Sequence, residues 1–331
     1  MMSVRGPARQ RCLVLAFALS ALAGGCGGGA GSPAAPGAQP ARSASGPLPG
    51  YDGSDSCKSC HAAQYASWQG STHARTVHTP SDAEKRLLGQ SLLCNDYDAK
   101  YVLGERHARR FLVESEQEPG RHVMLPCRYD IAPAEWSRLH ESDWKTLTWE
   151  RSCGACHTTG FSSDSLAFHE IRVGCEACHG PANRHAGFGR RGEMIKIGAL
   201  TARDEVLLCA ACHLQGGTSR STGLSFAYNH EPGGDLLADY RFDWTTLEGQ
   251  REETDNPIDI HQKLLIREFA VGGQAEGAGA PTLRCTSCHE AHMMGHVKHA
   301  ALPREEFCYL CHAREGFKVK EYSQACNVCE F

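Results

Sequence analysis

The chain has 331 residues and a formal net charge of −4. Charged residues make up 22% of it and neither sign dominates, so the composition gives no indication of binding to nucleic acid or to an anionic membrane surface. The length predicts two domains or one large one. The unusual feature is a content of eighteen cysteines and eighteen histidines, because so many thiols need either oxidation or a cofactor to occupy them.

Residues 1–25 are predicted to be an export signal. Three arginines precede a short apolar run, Cys12–Ala23, whose last three residues fit a signal-peptidase site. The run is too short to span a bilayer. We therefore expect the mature protein in the periplasm or on the outer cell surface.

Residues 26–50 are predicted to be a flexible tether, because glycine, alanine, proline and serine cannot bury a core. Cys26 at its start resembles the lipid-modified cysteine of a bacterial lipoprotein, and a lipid there would attach the protein to a membrane surface. The alternative is ordinary cleavage, with Cys26 removed or left unmodified. The folded domain is predicted to span residues 51–331.

Six copies of the pattern C-x-x-C-H follow the tether. They are Cys57, Cys60 and His61; Cys153, Cys156 and His157; Cys175, Cys178 and His179; Cys209, Cys212 and His213; Cys285, Cys288 and His289; and Cys308, Cys311 and His312. Two cysteines three positions apart present both sulfurs on one side of a turn, where they can bond to the two vinyl groups of one haem. The adjacent histidine can then bind the iron from one face. The pattern predicts six covalent haem c groups.

The competing interpretations of a cysteine pair are a zinc site and a disulfide. Zinc does not require histidine directly after the second cysteine, yet six of the seven pairs have it. The seventh pair, Cys326 and Cys329, is followed by glutamate. It is a seventh-site remnant, a local disulfide or a haem site with an unusual ligand, and the sequence does not separate these.

A small β-hairpin insertion is predicted after the first motif, at about residues 95–130. Lys100–Leu103 and Arg110–Val113 are predicted strands, Glu118–Gly120 is a predicted turn, and His122–Pro126 is a predicted returning strand. Cys94 and Cys127 belong to no motif, and in an exported protein a disulfide between them is one interpretation. The alternative is two packed thiols.

Helices are predicted at three places outside the motifs. Asp82–Leu93 and Gln262–Phe269 have helical patterns, and Pro133 is suited to the first position of a helix that runs to Leu139. Elsewhere we expect short helices and loops that wrap over haems. The predicted fold class is mainly α with a large irregular content, a haem-wrapping multihaem cytochrome c fold.

Twelve histidines lie outside the motifs and could supply second axial ligands. The favoured candidates lie close to a motif: His73, His185, His292 and His299. The weaker candidates are His78, His107 and His261. The motifs are also closely spaced in two places, since the second and third start 22 residues apart and the fifth and sixth start 23 apart. Such short separations should keep neighbouring haems close.

Several segments resemble the cytochrome c-554-type multihaem family. They are Tyr51–Val77 with its W-x-x-S/T-x-H element, Arg172–His185, Pro232–Leu237 and Leu283–His292. The resemblance implies a periplasmic or surface electron carrier with a loop-rich, haem-wrapping helical fold, and it implies distal ligation by His73, His185 and His292. The family usually closes with C-x-x-C-H-M-P. The present chain departs from this at Cys326–Phe331, which argues against a seventh haem.

The favoured function is electron transfer between unidentified redox partner proteins, with no role for nucleic acid. The alternative is a multihaem reductase or oxidase that acts on a small nitrogen or sulfur oxyspecies at one haem with an open coordination position. His107, with Arg106, Arg109 and Arg110, is a candidate lining for such a pocket. A third interpretation is a haem-bearing scaffold in a larger complex.

Overall fold

The computed structural model describes residues 50–105, 107–139, 144–188, 194–213, 217–242 and 284–293, together with residues 306 and 309. All of them belong to the unit Ala41–Phe331. The predicted export signal, Cys26, the sixth motif, the predicted helix Gln262–Phe269 and the pair Cys326 and Cys329 lie outside the described residues.

Two short helices follow the first motif. A 3₁₀ turn at Ser54–Cys57 leads into α1 (Ala62–Gln69) and α2 (Thr72–Arg75). Helix α2 begins at Ser71, whose side chain accepts a hydrogen bond from the amide of Ala74. This cap allows a four-residue helix to form directly after α1.

Helix α3 (Asp82–Leu88) begins with a capping box. The Ser81 side chain accepts from the Glu84 amide, and the Glu84 carboxylate accepts from the Ser81 amide. The helix ends at Gly89, so the predicted helix over Asp82–Leu93 is confirmed for its first seven residues.

Strands on both sides of α3 form a five-stranded antiparallel sheet, paired in chain order. The strands are β1 (Val77–His78), β2 (Tyr101–Leu103), β3 (Ala108–Glu114), β4 (His122–Asp130) and β5 (Glu135–Arg138). The predicted hairpin is therefore confirmed as β3 and β4, but the predicted bounds of 95–130 are too narrow. The sequence did not predict β1 and β5, because each is a short strand at an edge of the sheet and too few residues show the alternation of a strand.

Successive side chains of each strand point to opposite faces of the sheet, and the two faces pack against different parts of the chain. Val102, Phe111 and Leu125 lie on one face and form a core with Leu88 of α3. Leu103 and Leu112 lie on the opposite face and pack against Trp149, Phe168 and Cys153. This second face brings the sheet against the second C-x-x-C-H motif.

The disulfide between Cys94 and Cys127 forms in the structure, with the two Cα atoms 6.4 Å apart. Both cysteines are fully buried in the first core. The bond joins the segment after α3 to strand β4, which selects the disulfide over the alternative of two packed thiols.

The predicted helix at Pro133 is wrong, because these residues form a turn and strand β5. Ala134 has a φ of 56°, which a right-handed helix does not allow. Trp136 pairs with Tyr129 across the strands, and its ring packs 5.9 Å from that of Phe111. Strand pairing and aromatic packing therefore override the proline signal.

The chain beyond the sheet consists of short helices, turns and a second, two-stranded sheet. In order these are a π-helical turn (Glu150–Gly154), α4 (Ala155–His157), α5 (Glu176–His179), α6 (Asn183–Phe188), α7 (Ala202–His213), β6 (Gly217–Ser219), α8 (Leu236–Asp239), β7 (Tyr240–Phe242) and α9 (Cys285–Cys288). Val206, Leu207 and Ala210 of α7 form a core with Leu236 and Tyr240.

The prediction of a mainly α fold needs correction for the described residues. Their irregular content is large, as predicted, but most helices have only three to eight residues and the sheet is the most extended element. Among the residues that the structure describes, no helix combines the length and the apolar character that crossing a bilayer requires.

Candidate haem sites

The described motifs adopt the turn that haem attachment requires. In the first, third and fifth motifs, the histidine amide donates to the carbonyl oxygen of the first cysteine at 2.9, 3.0 and 2.9 Å. This bond closes one helical turn and places the two cysteines on the same side of it. The second motif ends in α4 and the fourth ends α7, so both also lie on helical turns.

The predicted haem-attachment residues differ in their exposure to solvent. In the first motif Cys60 is exposed, whereas Cys57 is half-buried. In the fifth motif His289 directly follows α9 and is exposed, and its predicted role as the first axial ligand stays a prediction.

The sixth motif contributes no geometry to the site. Its three residues lie outside the part of the chain that the structure describes: they are Cys308, Cys311 and His312. Their predicted roles, thioether bonding by the two cysteines and iron binding by the histidine, therefore rest on the sequence pattern alone.

Three motif histidines each face one histidine from outside the motifs. The ring centroids are 6.2, 5.9 and 6.1 Å apart in three pairs: His61 with His185, His213 with His73, and His179 with His292. The planes of the two rings are inclined by 24°, 74° and 7° in the same order. The three outside histidines are those that the family resemblance implied as distal ligands. Which motif each one serves was not deduced from the sequence.

The spacing of these rings fits an iron atom between them. An imidazole nitrogen binds haem iron at about 2 Å and the ring centroid lies about 1 Å further back, so two axial imidazoles have centroids about 6 Å apart. All three pairs meet this distance. Each pair also combines one motif histidine with one outside histidine, which is the donor set of a bis-histidine haem.

The backbone around these pairs is fixed by specific contacts. The Nδ1 atom of His179 hydrogen-bonds to the carbonyl of Ile195 at 2.6 Å, which leaves Nε2 for a metal. The carbonyl of His292 accepts from the Ser67 hydroxyl of α1 at 2.5 Å. Burial lowers the pKa of His179, and the nearby His292 and His61 lower it further, although the bond to Ile195 opposes this.

The weaker candidates for distal ligation lie in other environments. Both ring nitrogens of His78 are hydrogen-bonded, Nδ1 to the Arg75 carbonyl at 3.2 Å and Nε2 to the Glu84 carboxylate at 3.0 Å. His107 is exposed between β2 and β3. The third weaker candidate, His261, and the favoured candidate His299 lie outside the described residues.

The arginine pocket suggested beside His107 does not form from the residues described there. Arg109 pairs with Glu84 at 3.0 Å and donates to the Gly104 carbonyl at 2.8 Å. Arg110 lies over the Met124 sulfur, with its nitrogen 3.9 Å away. Arg109 is therefore engaged by helix α3 and by the turn after β2, whereas Arg110 is engaged by strand β4.

The second motif has a different environment from the three paired ones. The Nδ1 atom of His157 lies 3.0 Å from the Thr76 hydroxyl, and the ring that packs against His157 is the indole of Trp149, 6.5 Å away between centroids. Burial lowers the pKa of His157 to about 4, with a smaller effect from His213. Trp149 is 2% exposed, and its buried indole nitrogen has no hydrogen-bond partner among the described residues.

Cysteines of different motifs also approach each other. A side-chain hydrogen bond from Cys57 lowers the pKa of Cys175 to about 7, against the effect of burial. A side-chain hydrogen bond with Cys212 lowers the pKa of Cys156. A side-chain hydrogen bond with Cys209 likewise lowers the pKa of Cys285. The first motif therefore lies near the third, the second near the fourth, and the fourth near the fifth.

The competing interpretations of the cysteine pairs receive no support from the described part of the chain. No three His, Cys, Asp or Glu side chains there converge as a zinc site requires. The disulfide within these ranges joins Cys94 to Cys127, neither of which belongs to a motif.

Sequence reasoning did not identify three fully buried glutamates beside the motifs. Glu150, Glu176 and Glu205 are each 0% exposed. Glu150 accepts from the amide and ring of His122, Glu176 from backbone amides, and Glu205 from Thr286. In the sequence, each of these glutamates lies inside a haem motif or within four positions of one, and this position could have indicated them.

The comparisons with known proteins agree with this geometry. The family model described as cytochrome c554 and c-prime matches residues 56–100 and 131–180, which contain the first three motifs. The segment between the two matches holds β2, β3 and β4. The structure of the outer cell wall cytochrome OcwA is similar, with a TM-score of 0.54 and 20% identity over 81% of this chain and 68% of that one.

An undecahaem cytochrome from the S-layer of Carboxydothermus ferrireducens has a TM-score of 0.47 and 21% identity, over 82% of this chain and 44% of that one. No curated protein sequence matches the chain. The likeness to OcwA, at this identity, is one of fold.

The motif turns, the facing imidazoles and the family match support a multihaem c-type cytochrome with covalently bound haem c. The resemblance to the cytochrome c-554 family that the sequence predicted is confirmed.

Proposed function

We propose that the protein carries six haem c groups and relays electrons among them between redox partner proteins outside the cytoplasm. Each C-x-x-C-H motif would hold one haem, including the sixth motif beyond the described residues. We assign His185 as the second axial ligand at the first motif, His292 at the third and His73 at the fourth. The second ligands at the second, fifth and sixth motifs, opposite His157, His289 and His312, are left unassigned.

The observation that carries this proposal is the set of three imidazole pairs at iron-spanning distance. A haem with two histidine ligands exchanges electrons without binding a substrate. The residues that hold each pair come from separate segments, since α6, α2 and the residues after α9 each contribute one outside histidine. The fold therefore keeps each sixth position occupied through tertiary contacts.

A second support is the continuity of the motifs in space. The first motif lies near the third, the second near the fourth, and the fourth near the fifth, since one cysteine of each shifts the pKa of a cysteine in the other. The third and fourth motifs are also close enough for Cys178 to act electrostatically on Cys209 and Cys212. Five motifs thus form one connected series with a branch at the fourth.

The proposed location rests on two supports. The N-terminal segment has the pattern of an export signal, with Cys26 as a candidate for a lipid anchor. The similar fold of OcwA belongs to a protein described as an outer cell wall cytochrome. Electron transfer at the cell envelope would suit both.

A second function is favoured by the environment of His157. The ring that packs against it is an indole rather than an imidazole, so the second motif is the place where an open coordination position would lie. Such a site could reduce a small nitrogen or sulfur oxyspecies. The buried indole N–H of Trp149 would be a candidate donor to a bound oxygen atom.

The test replaces each assigned distal histidine by alanine in the purified holoprotein. We expect His73→Ala, His185→Ala and His292→Ala each to convert one haem from low spin to high spin, as measured by resonance Raman and by carbon monoxide binding to the reduced protein. His78→Ala is the matched control and should convert none, because hydrogen bonds occupy both nitrogens of His78.

An unchanged spin state in any of the three variants would contradict that ligand assignment. Carbon monoxide and nitrite binding to one haem of the unmodified protein, followed by turnover of nitrite, would instead establish the reductase. Fully low-spin unmodified protein would support the electron carrier.

A further inference from the structure

Glu176 is a buried carboxylate between the two cysteines of the third motif. It is 0% exposed and accepts hydrogen bonds from three backbone amides: those of Gly53 at 2.8 Å, Ala182 at 2.7 Å and Asp52 at 3.1 Å. A buried carboxylate is stable only when such bonds replace its hydration. The carboxylate and the three amides therefore hold each other in place.

The three amides belong to two segments that lead to the two histidines of the first haem site. Asp52 and Gly53 directly precede the turn Ser54–Cys57, which begins the first motif and leads to His61. Ala182 directly precedes α6, which carries His185. The first residue of α6 also donates its amide to the carbonyl of residue 50 at 3.2 Å, so the two segments lie against each other.

We propose that Glu176 is a positioning residue for the haem of the first motif, whose carboxylate holds His185 at the sixth coordination position opposite His61. The inference rests on the proposed function, because it takes the rings of His61 and His185, 6.2 Å apart, as the two axial ligands of one iron. Glu176 belongs to the third motif, so this role links the ligation of one haem to the attachment site of another.

Glu150 provides a matched comparison within the same protein. It is also 0% exposed, and it accepts from the amide of His122 at 3.2 Å and from its ring at 2.8 Å. Its partner residue begins strand β4, which carries none of the outside histidines of the three pairs. Loss of either carboxylate should lower stability, but only loss of Glu176 should release His185.

The experiment compares Glu176→Gln, Glu150→Gln and His185→Ala in the haem-loaded protein. Glutamine keeps the size of glutamate but has one acceptor oxygen, and its NH₂ group would face an amide donor. We expect reduced Glu176→Gln protein to bind carbon monoxide at one more haem than unmodified protein, with His185 ligation about ten- to hundredfold weaker. Glu150→Gln should lower the melting temperature without opening that haem.

The double variant Glu176→Gln/His185→Ala identifies the haem concerned. It should bind no more carbon monoxide than His185→Ala alone, because both changes open the same site. Binding to a further haem would overturn the inference, as would a Glu176→Gln protein that gains no carbon monoxide binding while His185→Ala does. If His185→Ala itself gains none, the ligand assignment of the proposed function fails instead.

A second measurement needs no variant and covers the case in which Glu176→Gln protein does not mature. Hydrogen exchange in the unmodified holoprotein should show slow exchange at Gly53 and Ala182, although neither amide lies inside a helix or strand. Exchange at the rate of an open loop would overturn the role assigned to Glu176.

Discussion

The sheet over Val77–Arg138 and the motif-bearing chain over residues 144–213 are stabilised in different ways. The sheet has paired strands, apolar side chains on both faces and a disulfide inside its core. The motif-bearing chain has helices α4, α5 and α6 of three to six residues, which are too short to be stable alone. Its buried residues include three glutamates that bind backbone amides or neighbouring polar groups.

This contrast indicates that the sheet folds on its own packing, whereas the motif-bearing chain needs haem as its core. The three central strands also lie in the gap between the two segments matched by the family model. The role of the sheet in the fold is to present Leu103 and Leu112 to the second motif, beside Trp149. The first two predictions below test this division, and the other two concern the cap of α3 and the haem of the second motif.

The largest expected effect comes from producing the chain without haem attachment. We expect residues 144–188 and 194–213 to lose most of their protection from hydrogen exchange, since helices α4, α5 and α6 are too short to be stable alone, while strands β2 to β4 remain protected by their own packing. Mass spectrometry of deuterated peptides measures both regions in one sample. Equal protection of the two regions would show that the motif-bearing chain folds without its cofactors.

The next effect concerns the core of the sheet. Phe111 is fully buried, so Phe111→Ala should destabilise the sheet by about 3–5 kcal/mol through lost burial and a cavity. Haem content and spin state should stay unchanged if the regions are as independent as the contrast implies. Denaturant dependence of exchange in β3 and β4 measures the loss.

Leu92→Ala is the matched control for Phe111→Ala, because Leu92 is 96% exposed and its truncation should leave stability unchanged. A change of spin state in Phe111→Ala would instead show that the sheet core is coupled to axial ligation.

A smaller effect concerns pH and the cap of α3. Burial raises the pKa of Glu84, but hydrogen bonds from Ser81 and then His78 outweigh it, so the pKa lies below the ordinary value of 4.5. Because the pKa of Glu84 is lower in the folded than in the unfolded protein, the ionised carboxylate stabilises the fold at pH values above its unfolded-state pKa. This stabilisation is lost as the pH falls through the folded-state pKa.

Glu84→Gln should therefore cost about 1 kcal/mol at neutral pH and less below about pH 4. Unfolding curves at several pH values measure this difference. A penalty that does not change between neutral and acidic pH would contradict the account.

The smallest effect is on a reduction potential. The Thr76 hydroxyl accepts from His157 Nδ1 when Nε2 binds iron, which makes the imidazole a stronger electron donor and favours ferric iron. Thr76→Val should raise the potential of the haem at the second motif, and Thr76→Ser, which keeps the hydroxyl, should not. Spectroelectrochemical titration of both variants measures the shift. A lower potential in the valine variant, or equal shifts in both, would contradict this role.

The predictable part of the molecule is the part with local patterns. The haem motifs, the strands β2, β3 and β4 and the start of α3 all follow from spacing, alternation or caps within a few residues. The three outside histidines were indicated by the family resemblance and by closeness to a motif, and each lies beside a motif histidine in the structure.

The remaining features depend on tertiary contacts that no local pattern encodes. The two histidines of each pair are more than a hundred residues apart in the chain, as His73 and His213 are. Strand β5 forms because Trp136 packs on Phe111, against a local proline signal for a helix. The buried Glu176 has partners on two separate segments, so its role is apparent only in three dimensions.

The most direct test of the account is peptide mass mapping of the purified, mature protein after reduction of disulfides. The account predicts one haem on each of the six peptides that contain a C-x-x-C-H motif, and none on the peptides that contain Cys94 or Cys127. Motif peptides recovered with free thiols or joined to each other by disulfides, after production in a host with intact maturation machinery, would contradict it.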